Sequence, residues 1–393
     1  LTEEAIVAHP QNIKVLAQYF EFHKNEEGLQ ALIKAKKENE VNIKYGVLLA
    51  EALIQLKKYK RASEILAGYQ LTTKTPKRYW QLMLIANSKQ EDAQEVVLIL
   101  DKWRKNNPYH IEPVLLLVNY WVAKKQPDRA LNVLKSSFKQ HPKNLILHLV
   151  KMQVLLNSNR SNEARSFLND LSEFSFNKDL RAGIEGRILL LEKEFSAALP
   201  KLKQQYEAKP SDQNVTFLAY ALEGDNQKHA AIDLLERHSS AHGLQPRVSL
   251  ILANLYLSTD KDKAISEYEK LLKVQPNNIV LLNNISWLYM EKGLFSQALV
   301  HAEKAYSLAA EVPNVVDTYA QVLLKSGKKA KALVKAEQAY KLSKAEDVDI
   351  ALNFAEALLA NNYKEQAREV LLNISTKTKV QKTKYQQLSG QSL

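Results

Sequence analysis

His238 and His242, four residues apart, are the pair of side chains that comes closest to a metal site in this sequence. On one helix turn, two imidazoles at this spacing could share a metal ion. However, no acidic third ligand is obvious, and Gly243 follows at once, which indicates an exposed helix end. The absence of cysteine excludes thiolate zinc sites, disulfides and cysteine catalysis. We therefore predict no bound metal and no other cofactor.

The motifs of common enzyme classes are also missing. The sequence contains no Walker A phosphate-binding loop, no HExxH metalloprotease motif and no GxSxG nucleophile motif. Gly183 and Gly186 are too few to cradle a phosphate, and the periodicity described below already accounts for Gly186. We predict no catalytic residue, and hence a protein that is not an enzyme.

The positive charge of the chain is concentrated in two regions. The net charge is +12, and residues 101–210 carry 19 Lys and Arg against 11 acidic residues, while residues 376–393 carry four Lys and no acid. An acidic partner would therefore prefer the middle third or the tail. The alternative is a solvated surface with surplus lysine.

The elements that position these side chains follow from an internal repeat. With 393 residues, 10 Gly and 11 Pro, the chain suits an elongated helical repeat better than a β-rich fold. Small residues recur at one phase of a period of about 34 residues. This alanine column consists of Leu29, Ala62, Ala93, Ala130, Ala164, Ala198, Ala231, Ala264, Ala298, Ala332 and Ala367.

Further columns at helical spacing define two helices in each repeat. A second small residue lies twelve positions before most of these alanines, as at Gly186, Ala219 and Ser286, and large apolar residues follow both columns after three or four positions. These offsets place the residues on one face of each helix. Residues that tolerate a helix C-cap or end a helix fall between the helices. These residues are Asn226, Gly293, Gly327, Asn362, Pro142, Pro210 and Pro276.

These columns resemble the tetratricopeptide repeat, a helix-turn-helix unit with small residues at its eighth and twentieth positions. The resemblance implies an all-α fold, an α-solenoid wound as a right-handed superhelix of about eleven tandem hairpins. We expect the array to cover residues 1–375, with an irregular third repeat at 70–108 and an N-terminus cut within a longer array. Residues 376–393 are expected to be a basic tail, either a helical cap or disordered.

The resemblance also implies that the first helices line a concave groove, into which the ninth position of each repeat faces. This column runs through Arg187, Tyr220, Asn254, Trp287 and Gln321, and Tyr and Trp are enriched at binding hot spots. A polar residue at a solvent-facing helix position is an equally good explanation for any single member. The predicted partner-binding residues are Tyr220, Arg247, Asn254, Asn283, Trp287, Asp317 and Gln321.

Two groove functions known in repeat proteins are disfavoured. A clamp for a peptide's C-terminal carboxylate would need an asparagine four residues after Lys14, where the sequence has Gln18. Binding to the C-termini of heat-shock chaperones is therefore not expected. RNA binding is less favoured because the groove column contains Glu51 and Glu356 and the basic surplus is regional.

A narrower resemblance lies in the segment LNNISWLY at 282–289, followed by VVDTY at 315–319. It is similar to the C-terminal part of the tetratricopeptide-repeat lipoproteins that accompany bacterial PEP-CTERM protein sorting and exopolysaccharide gene clusters. This likeness implies a periplasmic location, anchored to the outer membrane in a longer parent protein. No apolar run in the sequence is long enough to span a membrane.

The main hypothesis is a scaffold for protein–protein interaction that binds a protein or peptide segment in its groove, with a role in envelope protein sorting or exopolysaccharide assembly. The alternative keeps the fold but makes the ligand an acidic polysaccharide bound by residues 101–210.

Overall fold

The computed structural model describes residues 2–23, 26–89, 93–171 and 177–392, and in these ranges all regular structure is helical. The chain divides into two compact units, Leu1–Phe176 and Asn177–Leu393. The helices of the first unit are α1 (Thr2–Ala8), α2 (Ile13–Phe22), α3 (Glu26–Glu38), α4 (Ile43–Gln55), α5 (Tyr59–Ala67), α6 (Lys77–Ser88), α7 (Ala93–Asn106), α8 (Glu112–Ala123), α9 (Pro127–Ser137), α10 (Leu145–Asn157) and α11 (Ser161–Asp170).

The second unit contains thirteen helices in its described residues. They are α12 (Lys178–Leu191), α13 (Phe195–Ala208), α14 (Asp212–Gly224), α15 (Lys228–His242), α16 (Pro246–Tyr256), α17 (Lys261–Val274), α18 (Ile279–Glu291), α19 (Phe295–Leu308), α20 (Pro313–Lys325), α21 (Lys329–Leu342), α22 (Val348–Ala360), α23 (Lys364–Leu372) and α24 (Lys379–Ser392). No helix in the described ranges is both long and apolar enough to cross a membrane.

Short polar side chains begin many of the first helices. Side-chain oxygens of these residues accept hydrogen bonds from backbone N–H groups in the first helical turn, groups that otherwise lack a partner. The residues are Asn12, Asn42, Asn144, Asn177, Ser211, Asn278 and Asp347. The start of these hairpins is thus encoded locally.

The turn inside the hairpin requires a left-handed residue. Gly293 and Gly327 have φ of +73° and +77°, and Asn226 and Asn362 have φ of +63° and +67°, which confirms the predicted helix ends. Other repeats place a larger residue in the same conformation, for example Lys193 with φ of +62°. Such a residue is strained there, since its Cβ approaches the following carbonyl.

The small-residue columns form the crossing between the helices of each hairpin. Every alanine of the alanine column except Ala93 is fully buried. At Gly186 a Cβ would lie only 2.7 Å from Leu202 Cγ, so α12 and α13 could not approach as closely with a larger residue. Ala93 is the exception because it is exposed at the beginning of α7.

Residues 70–108, predicted to be irregular, contain the helical pair α6 and α7. In this pair, Trp80 and Trp103 stack with ring centroids 6.1 Å apart and an interplanar angle of 3°. Trp80 Nε1 donates to Asn107 Oδ1 at 3.1 Å, and Asn107 Nδ2 donates to the Thr73 carbonyl at 2.9 Å. The alanine column is interrupted in this pair, since Ala93 is exposed.

Residues 379–392 of the basic tail form α24, which packs on α22 and α23. Leu388 is buried in the apolar cluster formed by these helices, and Tyr385 packs at its edge. Helix α24, although it has few apolar residues, thus covers the C-terminal side of the last hairpin.

Candidate functional site

The seven predicted binding residues lie on four first helices of the second unit. Tyr220 and Trp287 are 43% and 42% exposed, and Arg247 and Asn254 are also exposed. Asn283 and Asp317 are half-buried. Gln321 differs from the solvent-facing position that the groove column predicts, since it is only 8% exposed.

Helix packing brings these residues together in two groups. Contacts between α14 and α16 place Tyr220 on the helix beside Arg247 and Asn254. Contacts between α18 and α20 likewise place Asn283 and Trp287 on the helix beside Asp317 and Gln321.

A buried tyrosine of α17 joins the two groups. The Tyr268 hydroxyl donates to Asn254 Oδ1 at 2.9 Å and accepts from Asn284 Nδ2 at 3.4 Å. Burial raises the pKa of Tyr268, although the hydrogen bond from Asn284 opposes this. The hydroxyl therefore holds the Asn254 amide in one orientation. Neither Tyr268 nor Asn284 was among the predicted site residues, because their contact joins positions 16 residues apart on different helices.

The end of the groove nearest α12 is positively charged. The Arg187 guanidinium lies 4.6 Å from the centroid of the Phe217 ring, which fixes its orientation by a cation–π contact. Burial, together with the nearby charge of Arg247, lowers the pKa of Arg187 to about 10. The positive charge of Arg247 therefore acts on Arg187.

The end formed by α20, α22 and α24 contains carboxylates. Burial raises the pKa of Asp317 to about 7, partly opposed by a hydrogen bond from Asn353 Nδ2 to Asp317 Oδ2 at 2.7 Å and by the charge of Lys384. The charges of Asp347 and Asp349 act in the same direction as burial. Asp317 therefore changes its charge near neutral pH.

Lys384 of α24 inserts between these side chains. Its Nζ donates to Asn353 Oδ1 at 2.5 Å and lies 2.6 Å from Glu356 Oε2, while Lys325 Nζ lies 2.9 Å from Glu356 Oε1. Burial opposes ionisation of Glu356, but the two lysines together outweigh it and lower the pKa of this carboxyl. The negative charge of Glu356 is therefore already neutralised within the chain.

Three buried polar atoms near α18 and α20 have no hydrogen-bond partner among the described residues. They are Asn283 Oδ1, Asp317 Oδ1 and Gln321 Nε2. An unpaired buried polar atom costs about 1–3 kcal/mol. A partner group that reached these atoms would recover part of that free energy.

Contacts within the protein engage the histidine pair. His238 is buried rather than at an exposed helix end, so that prediction was wrong for this residue. One ring nitrogen lies 3.0 Å from the Tyr206 hydroxyl and the other 3.1 Å from Asp212 Oδ1, so contacts within the protein engage both. His242 stacks on it at 4.3 Å. Across the described residues, no group of three His, Asp or Glu side chains could hold a metal ion.

Comparison with known families identifies the repeat. A tetratricopeptide repeat model matches residues 216–380, and a second model of that name matches residues 122–182. The chain contains tetratricopeptide repeats. This result, with the helical structure, confirms the predicted α-solenoid fold class. All seven predicted binding residues lie within the longer match.

No curated protein matches the chain. Several solved structures are similar to the chain. The APC/C hetero-tetramer Cut9-Hcn1 is 13% identical over 98% of this chain and 92% of its own, with a TM-score of 0.48. A tetratricopeptide repeat protein from Parabacteroides merdae is 15% identical over 63% and 98%, with a TM-score of 0.42. The MamA protein is 15% identical over 42% and 92%, with a TM-score of 0.39.

Proposed function

We propose that this protein is a non-catalytic scaffold that binds a protein or peptide segment in the groove of its second unit. The observation that carries the proposal is the exposure of Trp287 and Tyr220 at groove positions. Trp80 and Trp103, by contrast, are fully buried. Large aromatic side chains left partly exposed on one surface are characteristic of binding sites. Arg247, Asn254, Asn283 and Asp317 would complete the surface.

The charges along the groove favour a particular kind of partner. Arg187 and Arg247 make the α12–α16 end positive, whereas Lys384 and Lys325 neutralise Glu356 at the other end. We infer that the partner presents a carboxylate to the arginines and an apolar or aromatic side chain to Trp287. Arginine is well suited to the first contact because its planar fork binds a carboxylate with two parallel hydrogen bonds.

The test is partner capture by the full chain from its native cells after chemical cross-linking. We expect changing Trp287 and Tyr220 together to Ala to reduce capture about tenfold or more, since hot-spot residues contribute at least 2 kcal/mol each. Val334→Ala is the matched control, because this residue is exposed on α21, a second helix. Undiminished capture by the folded double variant would exclude the groove patch.

An acidic polysaccharide is the alternative ligand. Against it, several cations of residues 101–210 are already engaged: Arg104 pairs with Asp101, Arg160 with Asp128 and Glu163. Binding to a polyanion would weaken steeply between 50 and 500 mM salt, because salt screens the attraction between exposed charges. Binding that is insensitive to salt would rule this ligand out.

The resemblance at 282–289 and 315–319 supports a place in bacterial envelope protein sorting or exopolysaccharide assembly. Fractionation of the full-length protein in its native cells tests this proposal. Recovery with outer membranes, together with a lipoprotein signal in the parent sequence, would support it. Recovery in the cytosol would contradict it.

A further inference from the structure

A cleft of about 410 Å³ lies between α21 and α23, over one face of α22. Its walls are apolar and aromatic, with Tyr340 and Phe354 stacked at 5.0 Å and with Leu333, Leu358 and Val370 beside them. This volume is within the range of pockets that bind small ligands or single side chains. We name it the α21–α23 cleft.

The rim of the α21–α23 cleft is acidic. Glu337 and Glu369 flank the opening, and the 48% exposed Tyr363 lies at its edge. Glu337 forms an ion pair with Lys341 at 2.5 Å. Glu369 has no ion-pair partner within the part of the chain that the structure describes, so its charge is available to a ligand.

The cleft is separate from the groove. Phe354 and Leu358 are four residues apart on one face of α22, whereas Asn353 and Glu356 are three apart on another. The first pair lines the cleft, and the second contacts Lys384 of α24. A ligand in the cleft therefore does not depend on the groove function proposed above.

An equivalent cleft four repeats earlier has the same walls. The α13–α15 cleft, of about 610 Å³, is lined by Leu199, Tyr206, Leu218, Leu222 and Leu234. Their counterparts in the α21–α23 cleft, by repeat position, are Leu333, Tyr340, Phe354, Leu358 and Val370. The helix packing of the repeat therefore determines which positions form the apolar walls of both clefts.

The rims of the two clefts differ in charge at some positions and agree at another. Lys203 occupies the position of Glu337, and Arg237 that of the neutral Asn373, whereas Asp233, at the position of Glu369, is also acidic. Even the neighbouring ion pair is reversed: Lys203 pairs with Glu207 at 3.8 Å, whereas Glu337 pairs with Lys341. Since both repeats fold in the same way, the fold does not require a carboxylate at the position of Glu337, and ligand binding is a reason for it.

We propose that the α21–α23 cleft binds a lysine or arginine side chain presented by a protein partner. The aliphatic stem would lie against Leu358 and Val370, because long basic side chains bury their methylene groups on apolar surface. The charged end would reach Glu369 and Glu337 at the rim and the aromatic ring of Tyr363. Charge complementarity thus distinguishes this occupant from an acidic or neutral side chain.

The experiment is a methyl NMR titration of the full chain, labelled at Leu and Val, with a blocked Gly-Lys-Gly peptide. We expect the methyl signals of Leu333, Leu358 and Val370 to shift in a saturable way. The same peptide with norleucine in place of lysine keeps the stem but lacks the charge. It should bind at least about fivefold more weakly, because it lacks the attraction of a cation to an aromatic ring and to carboxylates.

Exposed-site variants separate the cleft from nonspecific attraction. Glu337→Gln with Glu369→Gln should weaken lysine-peptide binding about fivefold or more. Lys203→Gln with Arg237→Gln, in the equivalent cleft, should leave it unchanged. Equal binding of the norleucine peptide would overturn the role of charge, and butylamine binding as tightly as the peptide would overturn the assignment to a protein side chain. Absence of any shift of these methyls would overturn the site itself.

Discussion

At the scale of single residues, the tryptophans differ in their surroundings, and these surroundings determine the role that each can have. Trp80 and Trp103 stack on each other in the core of the first unit. Trp121 is half-buried beneath the Arg129 guanidinium, 4.6 Å from its ring centroid. Trp287 is exposed at a groove position. Only the last has the surface needed to contact a partner.

Asp317 carries a prediction at this scale. Its pKa is raised to about 7, so the folded protein holds this proton more tightly than the unfolded chain. The resulting stabilisation is fully present below the ordinary pKa of aspartate and is lost as pH rises through about 7. Asp317→Asn removes the cost of burying a charge. We expect the variant to gain roughly 2–4 kcal/mol relative to the native protein between pH 4 and pH 8.

The measurement is urea unfolding of both proteins at several pH values, followed by circular dichroism. Comparing the difference between the two proteins removes the contribution of all other titrating groups. Asp233→Asn, on an exposed position of α15, is the matched control. A difference that does not vary with pH would show that Asp317 is ionised normally in the folded state.

At the scale of elements, the turns inside the hairpins are the most local feature. Lys193 holds φ of +62° where other repeats have glycine, and its side chain is exposed. Lys193→Gly should therefore stabilise the protein by about 1 kcal/mol, because glycine adopts this conformation without a Cβ clash. Gly327→Ala should destabilise it by a similar amount. Thermal unfolding of both variants checks the pair, and opposite signs are required.

Helix α24 depends on few contacts, which makes it sensitive to single changes. Lys384→Met removes the hydrogen bonds to Asn353 and Glu356, and we expect amide hydrogen exchange in α24 to accelerate about tenfold or more. Gly390→Ala should slow it, because no atom lies within 4 Å of the added Cβ and alanine favours helix. Exchange that is unchanged in Lys384→Met would show that Leu388 alone holds the helix.

At the scale of the whole molecule, each compact unit has its own apolar core. The clusters around Val248 and Leu352 belong to residues 177–393, and the cluster around Leu53 belongs to the first unit. Asn177 caps α12 through hydrogen bonds from the N–H groups of Asp179 and Leu180. A fragment that begins at this residue therefore keeps its helix start.

We expect residues 177–393 to fold when expressed alone, since repeat arrays are stabilised by contacts between neighbouring repeats. The fragment should show helical circular dichroism and a cooperative thermal transition. In the fragment, the lysine peptide should also shift the methyl signals of Leu333, Leu358 and Val370. Broad melting with binding of a hydrophobic dye would show instead that its core is incomplete.

The sequence by itself determined the repeat, the two helices of each hairpin and most of their ends. These features depend on interactions within a helix turn or on a spacing that recurs along the chain. The buried alanine column and the left-handed Gly293 and Gly327 could be located from residue type and position alone. The exception, Ala93, lies in the repeat that contains the stacked Trp80 and Trp103.

Only the tertiary structure decided the state of the groove side chains. Gln321 is buried, Asn254 is held by Tyr268, and Asp317 is placed beside Asn353, although sequence treats all three as ordinary polar positions. The different rims of the α13–α15 and α21–α23 clefts likewise appear only when residues of three helices are brought together. The physical reason is that exposure and ionisation depend on neighbours tens of residues away, whose identity a repeat pattern does not specify.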